Sequence, residues 1–314
     1  MDTTSARAAG SLVAMAAGDA LGAPYEFRPP LPATQPVVMS GGGSFGWEPG
    51  EWTDDTSMAV PLLEAAESAH AAGHELLDGL DDVAGAWCDW ALTAPDVGYQ
   101  TRAVLGGAWQ DGDLTADALQ RGAHALYRAT GRAGGNGSLM RTAPVALAYL
   151  GRRDDIAAAA RAVSDLTHAE PDAGDACVLW CLAIDHAIET GDLDVRTGLD
   201  HLPGERRDRW ASLIAEAEAV PPVGFENNGW VVHAFQAAWS AISRTHGDDH
   251  VRRALEAAVR AGRDTDTVAC ITGQLVGAAY GVDAVPGEWV EILHGWPGIS
   301  GVELGERAAA LVAP

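Results

Sequence analysis

The sequence predicts an all-α protein, a single-domain orthogonal helical bundle spanning residues 1–314. Three observations predict it. Ala and Gly dominate while Phe and Tyr are scarce, and small residues let helices approach closely. Apolar residues recur at helical spacing through most of the chain, and apolar–polar alternation never persists long enough for a strand. No repeat period of 30–45 residues marks a solenoid, and no low-complexity linker follows residue 50.

Taken in order, residues 5–21 read as a helix opened by Thr and Ser caps, with Leu12, Val13 and Met15 on its apolar face. Gly22-Ala23-Pro24 ends it. Residues 28–50 are dense in Pro and Gly, and because they join two chemically loaded segments they read as a site-forming loop. Helical patterns then cover 56–72, 73–93, 98–110, 115–130, 139–150, 154–167, 172–189, 205–219, 228–245, 249–261, 266–280 and 301–312. Gly273, Gly277 and Gly281 fall every fourth residue and leave a bare stripe for a neighbouring helix. Trp87, Trp90, Trp109, Trp180 and Trp239 read as packing residues.

A formal net charge of −24 argues against a general nucleic-acid-binding surface, which must neutralise phosphates with clustered cations. The basic residues other than His are all Arg, which reads as composition bias. Cys88, Cys177, Cys181 and Cys270 lack metal-type spacing and read as buried, reduced thiols. With no cationic leader before an apolar run and no bilayer-length apolar stretch, a cytoplasmic, non-membrane protein is expected, acting as a monomer.

The chemistry concentrates in two clusters, Thr53-Asp54-Asp55-Thr56 and Asp264-Thr265-Asp266-Thr267, each leading into a helix. Taken singly, each is explained by helix capping. Their shared composition moves the reading, because a cap seldom needs two near-adjacent carboxylates plus hydroxyls. Converging helix N-termini would aim these oxygens into one space, where hard divalent cations would offset their repulsion. Asp19, near the negative end of the first helix, calls for a structural hydrogen bond. Glu26 lies between Tyr25 and Phe27, where an apolar setting would raise its pKa and suit it to acid–base work. Asp96 alone is a turn residue or cap. Gly134–Arg141 is a glycine-rich turn whose backbone N–H groups, with Arg141, are candidates for phosphate oxygens. His168 most simply reads as a helix C-terminal cation.

Six segments in order, GDALGAPYEF (18–27), WTDDT (52–56), PDVG (95–98), GNGSLMRTAP (135–144), THAEP (167–171) and GRDTDTVACITGQLVGAAYG (262–281), resemble the ADP-ribosylglycohydrolase family. The resemblance implies an all-α fold with two divalent cations, Mg²⁺ or Mn²⁺, at the base of an ADP-ribose cleft. It places metal ligands on Thr53, Asp54, Asp55, Asp264, Asp266 and Thr267, and catalytic carboxyls on Glu26, Asp96 and Asp55. Substrate contacts fall on Asn136, Gly137, Ser138, Met140 and His168. The implied partner is an ADP-ribosylated protein or small ADP-ribosyl conjugate. Arg263 departs from the pattern, standing where a glycine is common, and Ser138-Leu139 stand where small residues often occur. Two further readings stay open: a catalytically weak ADP-ribose-binding or crystallin-like member, and a metal-dependent nucleotide-sugar phosphohydrolase.

Overall fold

A computed structural model describes residues 1–313. Its helices are α1 (Thr3–Gly22), α2 (Asp54–Ala72), α3 (Leu80–Ala91), α4 (Tyr99–Asp111), α5 (Ala116–Thr130), α6 (Ala143–Ala148) and α7 (Arg153–Asp165). They continue as α8 (Pro171–Thr190), α9 (Gly204–Ala219), α10 (Val231–Ser243), α11 (His250–Arg260), α12 (Thr265–Tyr280), α13 (Gly287–Val290) and α14 (Gly301–Leu311). The sheet content among the described residues is one small antiparallel ladder, β1 (His294–Gly295) with β2 (Ile299–Ser300). The expected all-α class is what the structure shows.

Helices α1 and α12 form the axis of the molecule. The glycine stripe does what its spacing predicts. A Cβ at Gly273 would lie 2.0 Å from the Ala14 carbonyl oxygen, and one at Gly277 would lie 2.1 Å from that of Gly10. On the other side, a Cβ at Gly18 would meet the Ala269 carbonyl oxygen at 2.2 Å. These contacts run in opposite chain directions, so the helices are antiparallel and the C-terminal turn of α1 meets the N-terminal turn of α12. At that crossing Asp19 accepts from the backbone N–H of Thr53 (2.9 Å) and Thr56 (3.0 Å). One buried carboxylate therefore caps the start of α2 and pins it to the other two helices. This is the structural bond expected of Asp19.

Around this axis, Trp180 of α8 donates to the Ile271 carbonyl at 3.1 Å, and its ring meets Phe235 of α10 edge-on. Apolar side chains from nearly every helix join in one contiguous buried cluster.

Some boundaries differ from the sequence reading. The 73–93 stretch is not one helix: Gly73 at φ +70° closes α2, a 3₁₀ turn Leu76–Gly79 follows, and α3 begins at Leu80. The 139–150 helix shrinks to α6, because Pro144 has no N–H to continue an earlier turn and instead occupies the first turn. The helix expected from 228 starts at Val231, since the Asn228 side chain binds Gly262 and Asp264. Trp109 is 42% exposed and not a core residue. The short α13 and the β1–β2 ladder had no periodic signal to announce them.

Candidate active site

The antiparallel crossing brings the two acidic clusters together. One carboxylate oxygen from each of Asp19, Asp55 and Asp266 lies within 4.8 Å of the others, and the same holds for Glu26, Asp264 and Asp266. Neither N-cap side chain, Thr53 of α2 or Asp264 of α12, makes a capping hydrogen bond to its own helix. Helix capping therefore does not account for them. Asp264 instead accepts from Asn136 Nδ2 at 2.8 Å, and its backbone N–H donates to Asn228 Oδ1 at 3.2 Å. The Thr53 hydroxyl donates to Asp55 Oδ2 at 3.1 Å.

The electrostatics are severe. Burial, then the charges of Asp19, Asp54 and Asp264, pushes the Asp55 carboxyl well above the ordinary range. Asp266 is raised by burial and then by Glu26 and Asp55, and Asp54 by burial and then by Asp96 and Asp19. Burial and Asp264 drive Glu26 up to about 9; the rise has the expected direction, but neighbouring acids add to it and the Phe27 ring is exposed. Asp96 and Asp264 are also raised, in each case by burial first. Glu26 Oε2 and Asp55 Oδ1 are buried with no hydrogen-bond partner. Among the described residues, the ion pairs of the chain lie elsewhere. An all-oxygen donor set with orphaned carboxylate oxygens fits a hard divalent cation.

These acids floor a cleft of about 410 Å³. Of the sequence-predicted residues, Glu26, Asp54, Asp96, Asn136, Gly137, Met140, His168, Asp264, Asp266 and Thr267 line it. Thr53 and Asp55 are buried beneath, and Ser138 is not a lining residue: its hydroxyl accepts from Ser164 at 2.9 Å. Arg141 is not available to phosphate. It is wholly buried, stacked 3.9 Å over the Trp87 ring, and donates to the Thr167 hydroxyl at 2.7 Å. His168 is no surface cation either. It is buried, its Nδ1 lies 2.7 Å from Thr167 Oγ1, and burial with the Arg141 charge holds its pKa well below the usual value.

The sequence reading missed Gln100, whose amide donates to the carbonyls of Ala133 and Thr167 at 2.9 Å each and so ties the glycine turn to the His168 strand of chain. It also missed Asn228, the clamp on Asp264, and the exposed rings of Phe27 and Tyr99 on the cleft wall. Adjacency to PDVG was the one signal for Gln100 and Tyr99; Asn228 had none. Arg263 holds φ +66°, a conformation that favours glycine, and its backbone pairs with Phe27 and Arg28 at 2.6 and 2.7 Å. That is the physical reason a glycine suits this position.

The family model described as ADP-ribosylglycohydrolase matches residues 1–313. The chain belongs to the ADP-ribosylglycohydrolase family. It is an ADP-ribosyl glycohydrolase, a hydrolase acting on glycosidic bonds. The chain is 31% identical over 303 residues to ADP-ribosylarginine hydrolase Tri1 of Pseudomonas putida, covering 91% of this chain and 73% of that protein. It is 30% identical to the ADP-ribosyl-[dinitrogen reductase] glycohydrolase of Rhodospirillum rubrum, covering 91% and 90%. A solved ADP-ribosylglycohydrolase-related protein complex matches with a TM-score of 0.73 at 30% identity, covering 99% of each chain. No helix among the described residues is long and apolar enough to cross a membrane.

Proposed function

We propose that this glycohydrolase removes ADP-ribose from arginine side chains, using two divalent cations, Mg²⁺ or Mn²⁺. The observation that carries the reading is the meeting of two uncompensated acidic clusters at the floor of a cleft. The acceptor follows the names of two relatives, the arginine hydrolases of Pseudomonas putida and Serratia proteamaculans. Thr53, Asp54, Asp55, Asp264, Asp266 and Thr267 would hold the cations. Bound there, they supply Lewis acidity and lower the pKa of water.

The rest falls to the side chains. Water adds its oxygen to the anomeric carbon of the distal ribose as the carbon–nitrogen bond breaks, and the bonding electrons leave with the guanidino nitrogen, which takes a proton. The products are ADP-ribose and free arginine. Glu26 and Asp96, which line the cleft beside the cluster, are the groups to move it. Developing positive charge on the sugar is stabilised by the surrounding carboxylate oxygens. Asn136, Gly137, Met140 and His168 contact the ADP-ribose, and the Ser138 backbone supports their turn. The protein acts as a monomeric, single-domain enzyme of the cytoplasm.

The test is a panel of ADP-ribosyl conjugates assayed after chelation, with Mg²⁺ or Mn²⁺ restored separately and products resolved chromatographically. ADP-ribose released from the arginine conjugate only with cation is the expected result. Full turnover in chelator refutes the metal role, release of AMP indicates a phosphohydrolase, and tight ADP-ribose binding without any hydrolysis indicates a binding protein.

A further inference from the structure

Adjoining the cleft is a second, smaller cavity of about 170 Å³. The two cavities have Asp54 and Asp96 in common as lining residues. A glycosidic bond has a sugar side and an acceptor side, and a bond lying across this shared boundary would send one into each cavity. The smaller cavity is walled by four indoles, Trp47, Trp52, Trp90 and Trp296, with Glu51 beside them, and none of its lining residues is basic. Aromatic faces and carboxylates together attract a planar cation. Trp52 is already fixed, donating to the Trp296 carbonyl at 3.2 Å. Trp47 is 8% exposed and contributes its indole to the wall.

Resting on the reading above, we propose that this tryptophan-lined cavity is the acceptor subsite, taking the guanidinium and methylene stem of the target arginine. The seven heavy atoms of that side chain suit the space. A serine acceptor has neither the charge nor the reach to fill it.

The test uses N-acetyl-arginine amide, with N-acetyl-citrulline amide as its neutral, near-isosteric control. Each is titrated into the wild-type protein, with and without saturating ADP-ribose, while the indole N–H resonances are followed by NMR. The arginine amide is expected to shift the cavity indoles and to bind at least tenfold tighter than the citrulline amide. Trp296→Leu, at a half-buried position, is expected to weaken it about tenfold and to raise KM for the arginine conjugate similarly, with ADP-ribose affinity unchanged. Glu51→Gln, whose side chain can still accept from the Glu48 N–H, is expected to have a smaller effect in the same direction. Equal binding of the two amides, or an unchanged KM in both variants, overturns the subsite. Failure of the ADP-ribosyl reading looks different: ADP-ribose neither binds nor is released, and the amide titration in free protein still decides the subsite.

Discussion

Two sets of buried and half-buried aspartates sit in this molecule under opposite conditions. In the first, on the N-terminal half of α8, Asp172 meets Arg206 and Arg209, while Asp175 meets Arg161, Arg206 and the Trp210 indole N–H. Asp185 further along the helix is likewise paired with Arg153 at 3.2 Å. In the second, at the crossing of α1, α2 and α12, Asp55, Asp264, Asp266 and Glu26 gather, with Asp54 close enough to feel the Asp264 charge, and none has such a partner. The first set shows that this chain pairs buried acids internally where their task is to tie helices together. The second departs from that practice at one place, the floor of a cleft, and an uncompensated cluster there is intelligible as a site completed by something positive from outside. Burial alone does not separate the sets; the partners do.

The contrast predicts opposite failures. Asp266→Asn is expected to lower kcat on an ADP-ribosyl-arginine substrate by about 10³-fold or more, in line with losing a group that stabilises charge at the reacting centre. The same change relieves repulsion, so its melting temperature without cation is expected to hold or rise. Asp175→Asn does the reverse: it leaves Arg161 and Arg206 short of a counter-charge and is expected to cost about 3 kcal/mol of stability. Denaturant titration reads that loss, and turnover per folded molecule stays at the wild-type level. If Asp266→Asn destabilises the cation-free protein as much as Asp175→Asn does, the distinction between the sets is lost.

A third prediction sharpens the comparison through pH. The acids gathered at this crossing hold protons more tightly folded than unfolded, with Asp19 at about 6 and Glu26 at about 9. The folded chain therefore binds more protons than the unfolded one from the ordinary carboxylate range, about 4, up to these raised values. In chelator, stability is expected to fall as pH rises from about 5 to 8, since that excess must be released to deprotonate the cluster. Divalent cation at about a hundred times its Kd should return about 2.7 kcal/mol at the upper end. For a chain of this size that is a rise of roughly 4 °C in Tm, with a flatter pH profile. Differential scanning calorimetry at pH 5, 6.5 and 8, with EDTA or Mg²⁺, measures it. A pH-independent Tm in chelator, or no response to cation, counts against the external-charge account.

How much of this was readable in advance follows from how local each cause is. The four-residue spacing of Gly273, Gly277 and Gly281 announced the α12 contact surface, because close packing at one face is periodic along one helix. The Thr-flanked acids were visible as composition, and their order with four other segments matched a family. What stayed hidden was set by distant partners. Nothing in Leu139-Met140-Arg141 says that the guanidinium turns inward over Trp87, and nothing near Asn228 says that its amide clamps Asp264 from 36 residues away. The run at 73–93 misled because Gly73 breaks a pattern whose apolar residues continue on both sides. Trp109 kept its helical register while its ring turned half outward.

The smallest expected effect concerns how a buried positive charge serves the cleft without entering it. Arg141 can only donate, so Thr167 Oγ1 accepts at 2.7 Å. The remaining contact of that hydroxyl is His168 Nδ1, also at 2.7 Å, and a proton on Nδ1 would leave the Thr167 O–H an unpaired donor at a site with no solvent exposure. The satisfied arrangement has Thr167 donating to Nδ1, which puts the imidazole proton on Nε2. The Nε2 edge is the one that lies beside Gly135 and Gly137, where a Cβ would approach it to 3.2 and 3.1 Å. His168 thus offers the cleft a neutral N–H donor, kept neutral by burial and the Arg141 charge. Nitrogen-15 NMR of the imidazole at neutral pH is expected to show the Nε2–H tautomer. Thr167→Val removes the relay and is expected to mix the tautomers and weaken ADP-ribose binding about tenfold, or about 1.4 kcal/mol, whereas Thr167→Ser restores both. A merely structural role for Thr167 would lower stability in the valine variant and leave the tautomer as it was, so the imidazole spectrum decides between them.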